Sequence, residues 1–243
     1  MRVDKLFILF VKEEEEVAVE EIEAGGAALY TKYTKRNDPG RGPVPGNVAR
    51  YKITYNSFED AKDLQIVHCD GPNDLAAGEP AAGTVGVYVF GHGSGGNLLG
   101  VSEDGLAAIF EKLKLKRIDK LCFISCALAN SKKPAGGHDA PGKTYLERIC
   151  TVLAGKDLKP KIAGYTDFVT IVPAAELPDI KIKGLDAAGY QQNQGRKAIK
   201  LGSGKIARTK DATNERKLSQ KLVYVWREGG VANLDYSEWT DKH

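Results

Sequence analysis

A histidine and a cysteine, His92 and Cys126, each close an apolar run of strand length and lie 34 residues apart in this chain. The first run reads VGVYVFGHGSGG over residues 85–96 and the second LCFISCA over 121–127. A thiol that attacks a carbonyl and an imidazole that transfers a proton are the working parts of cysteine-dependent acyl transfer. That reaction also needs donors for the oxyanion, and the backbone N–H groups of Gly93 and Cys126 are the candidates. Gly91, Gly93, Gly95 and Gly96 surround the histidine. Repeated glycine gives up strand and helix stability, so its clustering here points to close approach of backbone or ligand. The alternative is a structural histidine and a buried cysteine.

The elements around the pair must bring its members together. Val85, Val87, Tyr88, Val89 and Phe90 are β-branched or aromatic on both alternating faces, the pattern of a strand covered on each side. Between the two runs, Ser102 is a candidate N-cap for a helix with Glu103 and Asp104 in its first turn and an apolar stripe of Leu106, Ile109, Phe110 and Leu113. Strand, crossover helix and strand make a parallel unit, which places both C-terminal strand ends on one rim.

At these residues the chain resembles the clan CD cysteine peptidases: caspases, legumain, clostripain, gingipains, separase and the self-cleaving protease domains of large bacterial toxins. Their shared pattern is an apolar strand ending in His-Gly, a spacer with a helix, and an apolar strand ending in a small residue and Cys. Here it is Phe90-Gly91-His92-Gly93 and Ile124-Ser125-Cys126. The resemblance covers residues 84–172, with Lys143 to Ala154 read as an amphipathic helix and Lys161 to Val172 as the next strand, and it looks closest to the toxin-type domains and related effectors. It implies a three-layer caspase-like α/β fold, a mostly parallel sheet of about six strands with helices on both faces. It also implies a cysteine endopeptidase that cuts protein substrates or itself, Cys126 attacking the scissile carbonyl while His92 protonates the leaving amine. Ser125, Tyr165 and Asp167 would border the substrate pocket, with Asp167 attracting a basic residue; a strand-end acid capping a turn is the other reading of Asp167. The 34-residue interval is short for the group and leaves little room for loops around a specificity pocket.

The formal charge of +3 hides an asymmetry: residues 1–126 carry 15 Lys/Arg against 19 Asp/Glu, and residues 127–243 carry 20 against 13. Twelve cations fall within 181–227 against Asp186, Asp211 and Glu215. One reading is a solvated lysine-rich surface. The resemblance implies another, since toxin-type relatives are activated by inositol hexakisphosphate on a basic face and flap. Lys183, Arg196, Lys197, Lys200, Lys205 and Arg208 are the candidate anion ligands, and segment 181–243 the candidate flap or appendage. Nucleic acid fits less well, because regularly interleaved aromatics for base stacking are missing.

With 243 residues, 42% of them hydrophobic, the chain suits a single sizeable α/β core. It has no run of eighteen apolar residues, and no cationic region leads a small-residue cleavage site. The expectation is a protein without a membrane span, cytoplasmic or delivered into a host cytosol. Cysteines at 69, 122, 126 and 150 form no CxxC pair, which favours reduced thiols. His68-Cys69 lacks a compact metal motif, so no metal site is expected. Cys122 and Cys150 read as core, and His138, in the loop GGHDAPG, as surface or rim.

Around this centre, Lys5 to Val11, Val48 to Tyr55, Leu64 to Cys69, Leu222 to Trp226 and Val231 to Leu234 read as further strands. Gly229-Gly230 supplies a turn, residues 37–46 a loop, and Ala24 to Gly26 the end of an acidic stretch. Two other enzyme classes fail on spacing. HGSGG resembles an α/β-hydrolase oxyanion loop, but the required G-x-S-x-G elbow is missing. Gly204-Lys205 is followed by Ile206 and lacks the upstream glycine of a P-loop. A catalytically inactive caspase-like binding or scaffold module remains the alternative function.

Overall fold

The computed structural model describes residues 3–12, 23, 25–27, 29–31, 33–34, 46–54, 64–75, 83–94, 97–98, 101–126, 128–129, 143–166, 169–172, 197–201, 204–208, 210–211, 214–218 and 221–234. In chain order the strands are β1 (Lys5–Lys12), β2 (Val48–Thr54), β3 (Gln65–Asp70), β4 (Val85–Phe90), β5 (Gly93–Ser94), β6 (Asn97–Leu98), β7 (Lys120–Ile124) and β8 (Lys161–Tyr165). They continue as β9 (Val169–Val172), β10 (Lys197–Leu201), β11 (Gly204–Arg208), β12 (Lys210–Asp211), β13 (Asn214–Leu218), β14 (Lys221–Arg227) and β15 (Gly230–Leu234). Helix α1 comprises the helical positions between 23 and 34, α2 spans Glu103–Lys112 and α3 spans Tyr145–Ala154.

Eight strands form the main sheet in the order β15-β14-β8-β7-β4-β1-β2-β3. The central pairs β2/β1, β1/β4, β4/β7 and β7/β8 are parallel. Antiparallel β3 flanks one side, and the β14–β15 hairpin the other. The sheet is therefore two strands wider than the expected six, because both flanking elements pair onto it.

Alternation divides the apolar side chains into two layers, as it must in a sheet covered on both sides. Phe7, Leu9 and Val11 of β1, Val87 and Val89 of β4, and Leu121 and Phe123 of β7 face α2 and α3. Leu6, Ile8 and Phe10, Tyr88 and Phe90, and Cys122 and Ile124 lie in the layer with Leu29 and Tyr33 of α1. The fold is thus three-layered α/β with a mostly parallel sheet, as the sequence predicts. In the α1 layer the hydroxyls of Tyr33 and Tyr88 meet at 3.0 Å, tying helix to sheet through the core.

Each crossover helix after the first is capped locally. Ser102 Oγ accepts the Gly105 N–H at 3.0 Å, ahead of Glu103 and Asp104 in the first turn of α2. At α3, Thr144 Oγ1 accepts from the Glu147 N–H at 3.2 Å while a Glu147 carboxylate oxygen accepts from the Thr144 N–H at 2.6 Å. That reciprocal pair satisfies two donors an N-terminus otherwise leaves open. Arg148 then bonds Glu103 at 2.6 Å, fastening the two helix starts together.

One strand expectation is corrected. Lys161 to Val172 is not one strand: β8 stops at Tyr165, whose carbonyl accepts the Ala129 N–H at 2.9 Å, and β9 leaves the main sheet to pair with β11. A second element lies where the sequence marked only the end of an acidic stretch: helical positions run on past Gly26 to 34. In the basic segment, β10, β11 and β9 form a three-stranded sheet, and β12 and β13 a hairpin pair. Among the described residues no helix is long and apolar enough to cross a membrane.

Thr144→Ala removes the side-chain half of the α3 capping box and is expected to cost about 1–2 kcal/mol of unfolding free energy, read by urea denaturation.

Candidate functional site

β4 and β7 run parallel in unbroken register from Gly86↔Lys120 to Phe90↔Ile124. His92 and Cys126 each follow two residues beyond that last pair, so the two residues leave the sheet side by side at its carboxyl edge. Phe90 and Ile124, the last registered pair, belong to the same layer. The chain reverses direction across the sheet between β1 and β4, since β2 lies on one side of β1 and β7 on the far side of β4. Crevices outside such a switch point are the usual ligand sites of open α/β sheets. Here Gly91 packs so close to Val11 that an added Cβ would stand 3.2 Å from the Val11 Cβ.

Gly93 explains itself at this rim. A Cβ there would overlap the Cys126 carbonyl oxygen and come within 3.0 Å of the Cys126 amide nitrogen. Backbone meets backbone at the predicted nucleophile, and no side chain fits between them. The two candidate oxyanion donors, the amides of Gly93 and Cys126, therefore sit on adjoining segments.

His92 and Cys126 are both partly exposed. His92 Nε2 is buried and has no hydrogen-bond partner among the described residues. Ser125 is 1% exposed, and its Oγ has no partner among the described residues either. Tyr165 is 2% exposed, its ring in the α1 layer. Both named pocket residues thus lie beneath the rim rather than on it, while Asp167 lies outside the described residues. Lys221, counted in the sequence only among basic residues, stands opposite Tyr165 in the β14–β8 register with its ammonium 6.0 Å from the ring centroid. Nothing in the sequence pairs these two positions, because the strands that carry them are 56 residues apart in the chain.

Of the anion candidates, Lys197 and Lys200 lie on β10 and Lys205 and Arg208 on β11, registered as Lys197↔Arg208 and Lys200↔Lys205. By alternation positions 197 and 208 share one face of that sheet, and 200 and 205 the other. Lys183 and Arg196 lie outside the described residues, as does His138. His68 packs edge-on to Tyr51 with ring centroids 5.3 Å apart. No group of three or more His, Cys, Asp or Glu side chains suited to a metal ion occurs among the described residues.

The four thiols occupy unlike surroundings. Burial pushes the Cys150 thiol up to about 11, with the Glu147 charge adding to the shift. Burial also raises Cys69, against the opposing pull of the Arg50 guanidinium. Cys122 is fully buried under the α1 layer. Cys126 alone of the four stands at a strand's carboxyl end beside a histidine-bearing one.

No protein-family model matches the chain, and no curated protein matches it. Among solved structures it is similar to the X-ray structure of a secreted C11 cysteine protease from Bacteroides thetaiotaomicron in complex with an irreversible peptide inhibitor, at 11% identity and a TM-score of 0.27. The similarity covers 63% of this chain and 59% of that one, so the chain spans less than two thirds of its length.

Iodoacetamide at pH 8 is expected to label Cys126 first, then Cys69, and to leave Cys122 and Cys150 unmodified in the folded protein, since a thiol at about 11 is only about one-thousandth thiolate there. Peptide mapping by mass spectrometry checks the order; Cys150 or Cys122 reacting as fast as Cys126 contradicts it.

Proposed function

We propose that this protein is a caspase-like cysteine endopeptidase with Cys126 as nucleophile and His92 as proton donor. The observation that carries the proposal is the β4/β7 register, which sets the two residues at matching positions past neighbouring parallel strand ends. The Cys126 sulfur adds to the scissile carbonyl carbon, and the oxyanion that forms is held by the Gly93 and Cys126 N–H groups. Collapse of that intermediate breaks the C–N bond, His92 giving its proton to the leaving amine. Water then adds to the thioester, and its cleavage returns the thiol and releases the new carboxylate. With Nε2 buried, Nδ1 is the ring nitrogen assigned to the proton transfer.

The basic segment is proposed to take a polyanion of the inositol hexakisphosphate type as activator. Like charges opposed across a sheet destabilise it, and β10–β11 pairs cations at two register positions, 197/208 on one face and 200/205 on the other. A multiply charged phosphate on either face would offset the repulsion of the pair it meets there through charge-assisted hydrogen bonds.

Cys126→Ala is expected to abolish peptide cleavage while unfolding free energy stays within about 1 kcal/mol; His92→Ala should lose most activity and keep the fold. Turnover retained by the Cys126 variant in a proteome-wide cleavage screen refutes the assignment, and a wild type that never cuts any substrate favours the binding module. Separately, low-micromolar inositol hexakisphosphate is expected to raise the melting temperature at physiological salt and to raise cleavage. An unchanged melting temperature removes the activator.

A further inference from the structure

Helix α1 carries, among its first described positions, something helices avoid: two consecutive glycines, each costing about 1 kcal/mol relative to alanine. Gly25 and Gly26 are both buried. A Cβ on Gly25 would overlap the Phe90 ring, with the outermost ring carbon, Cζ, at 2.6 Å. A Cβ on Gly26 would stand 3.2 Å from Cδ1 of Phe10. Phe10 and Phe90 are themselves registered partners across β1 and β4, so two successive glycines lie over two adjacent rings.

Arg50 of β2 completes the attachment. Its guanidinium carbon lies 5.2 Å from the Phe10 ring centroid, Nη1 donates to the Glu23 carbonyl at 3.4 Å, and Nε donates to Asp70 at 2.6 Å. The start of α1 is thus fastened at three places over the carboxyl ends of β1 and β4. Phe90 is the last residue of β4, and His92 follows two residues later.

We infer that Gly25 is a positioning residue for His92. By carrying no side chain it lets the helix seat directly on Phe90, and the seated ring holds the strand end from which the imidazole projects. The activity part of this inference rests on the peptidase reading; the placement of the His92 ring does not.

The test is a double-variant cycle read by proton NMR of the histidine rings, with His92 identified from a His92→Ala spectrum. Gly25→Ala crowds the contact, Phe90→Leu loosens it, and the double variant refills it. Each single variant is expected to move the His92 ring-proton chemical shifts and to lower kcat on the order of 10²-fold with little change in KM. The double variant should restore most of both. Leu153→Ala, a core change in α3 on the opposite face, should lower the melting temperature and leave the His92 ring-proton shifts in place. Should Gly25→Ala fail to fold, Phe90→Leu alone decides. His92 ring-proton shifts unmoved in a folded single variant, or equally moved by Leu153→Ala, overturn the inference. A wild type without turnover refutes the peptidase reading and leaves the NMR result to decide this one.

Discussion

The parallel pairing of β4 with β7 is the constraint on which the site depends. His92 and Cys126 are 34 residues apart, and no local interaction could hold them near each other. Five registered pairs do so. A slip of one residue would move every side chain of one strand to the opposite face, taking buried valines and phenylalanine into the wrong layer. Since β4 is buried along its whole length and β7 likewise, such a slip carries the cost of both cores. The relative height of the imidazole and the thiol is therefore set by hydrophobic burial several residues away from either.

Parallel strands need a crossover between them, and the crossover has its own effect on the rim. α2 and α3 both begin at the carboxyl edge, where Ser102 and Thr144 cap them, and Arg148 with Glu103 joins the two starts. On the other face α1 begins over Phe10 and Phe90. Helix starts on each side of the sheet thus converge on the edge that carries the candidate site, and the glycines at 25 and 93 mark where a side chain would overlap its neighbours.

Much of this was legible from residue types alone. Val85 to Phe90 and Leu121 to Ile124 are apolar at every position, which only a strand buried on both faces requires, and the Ser102 cap with its acidic first turn marks α2 directly. α1 was hidden because a Gly-Gly step reads as a break until the aromatic rings beneath it are known. The end of β8 was hidden as well: nothing in the composition of residues 161–172 shows that the Tyr165 carbonyl accepts from the Ala129 N–H. The same holds for the site's surroundings. Clustering of cations in the sequence says nothing of which ones share a face, and β10–β11 assigns 197 and 200 to opposite ones.

Cys122 and Cys126 make the general point most directly. They lie on one chain segment, four residues apart, with the same parity along the strand. Cys122 falls within the registered part of β7, opposite Tyr88, and is sealed in the α1 layer. Cys126 falls past the last registered pair, where neighbouring strands no longer cover it and the Gly93 backbone comes alongside. Nothing in the chemistry of the two side chains distinguishes them. What separates an inert core thiol from a candidate nucleophile is two residues of chain beyond the end of a β-ladder, and the presence there of a neighbouring strand that ends at the same height in a histidine.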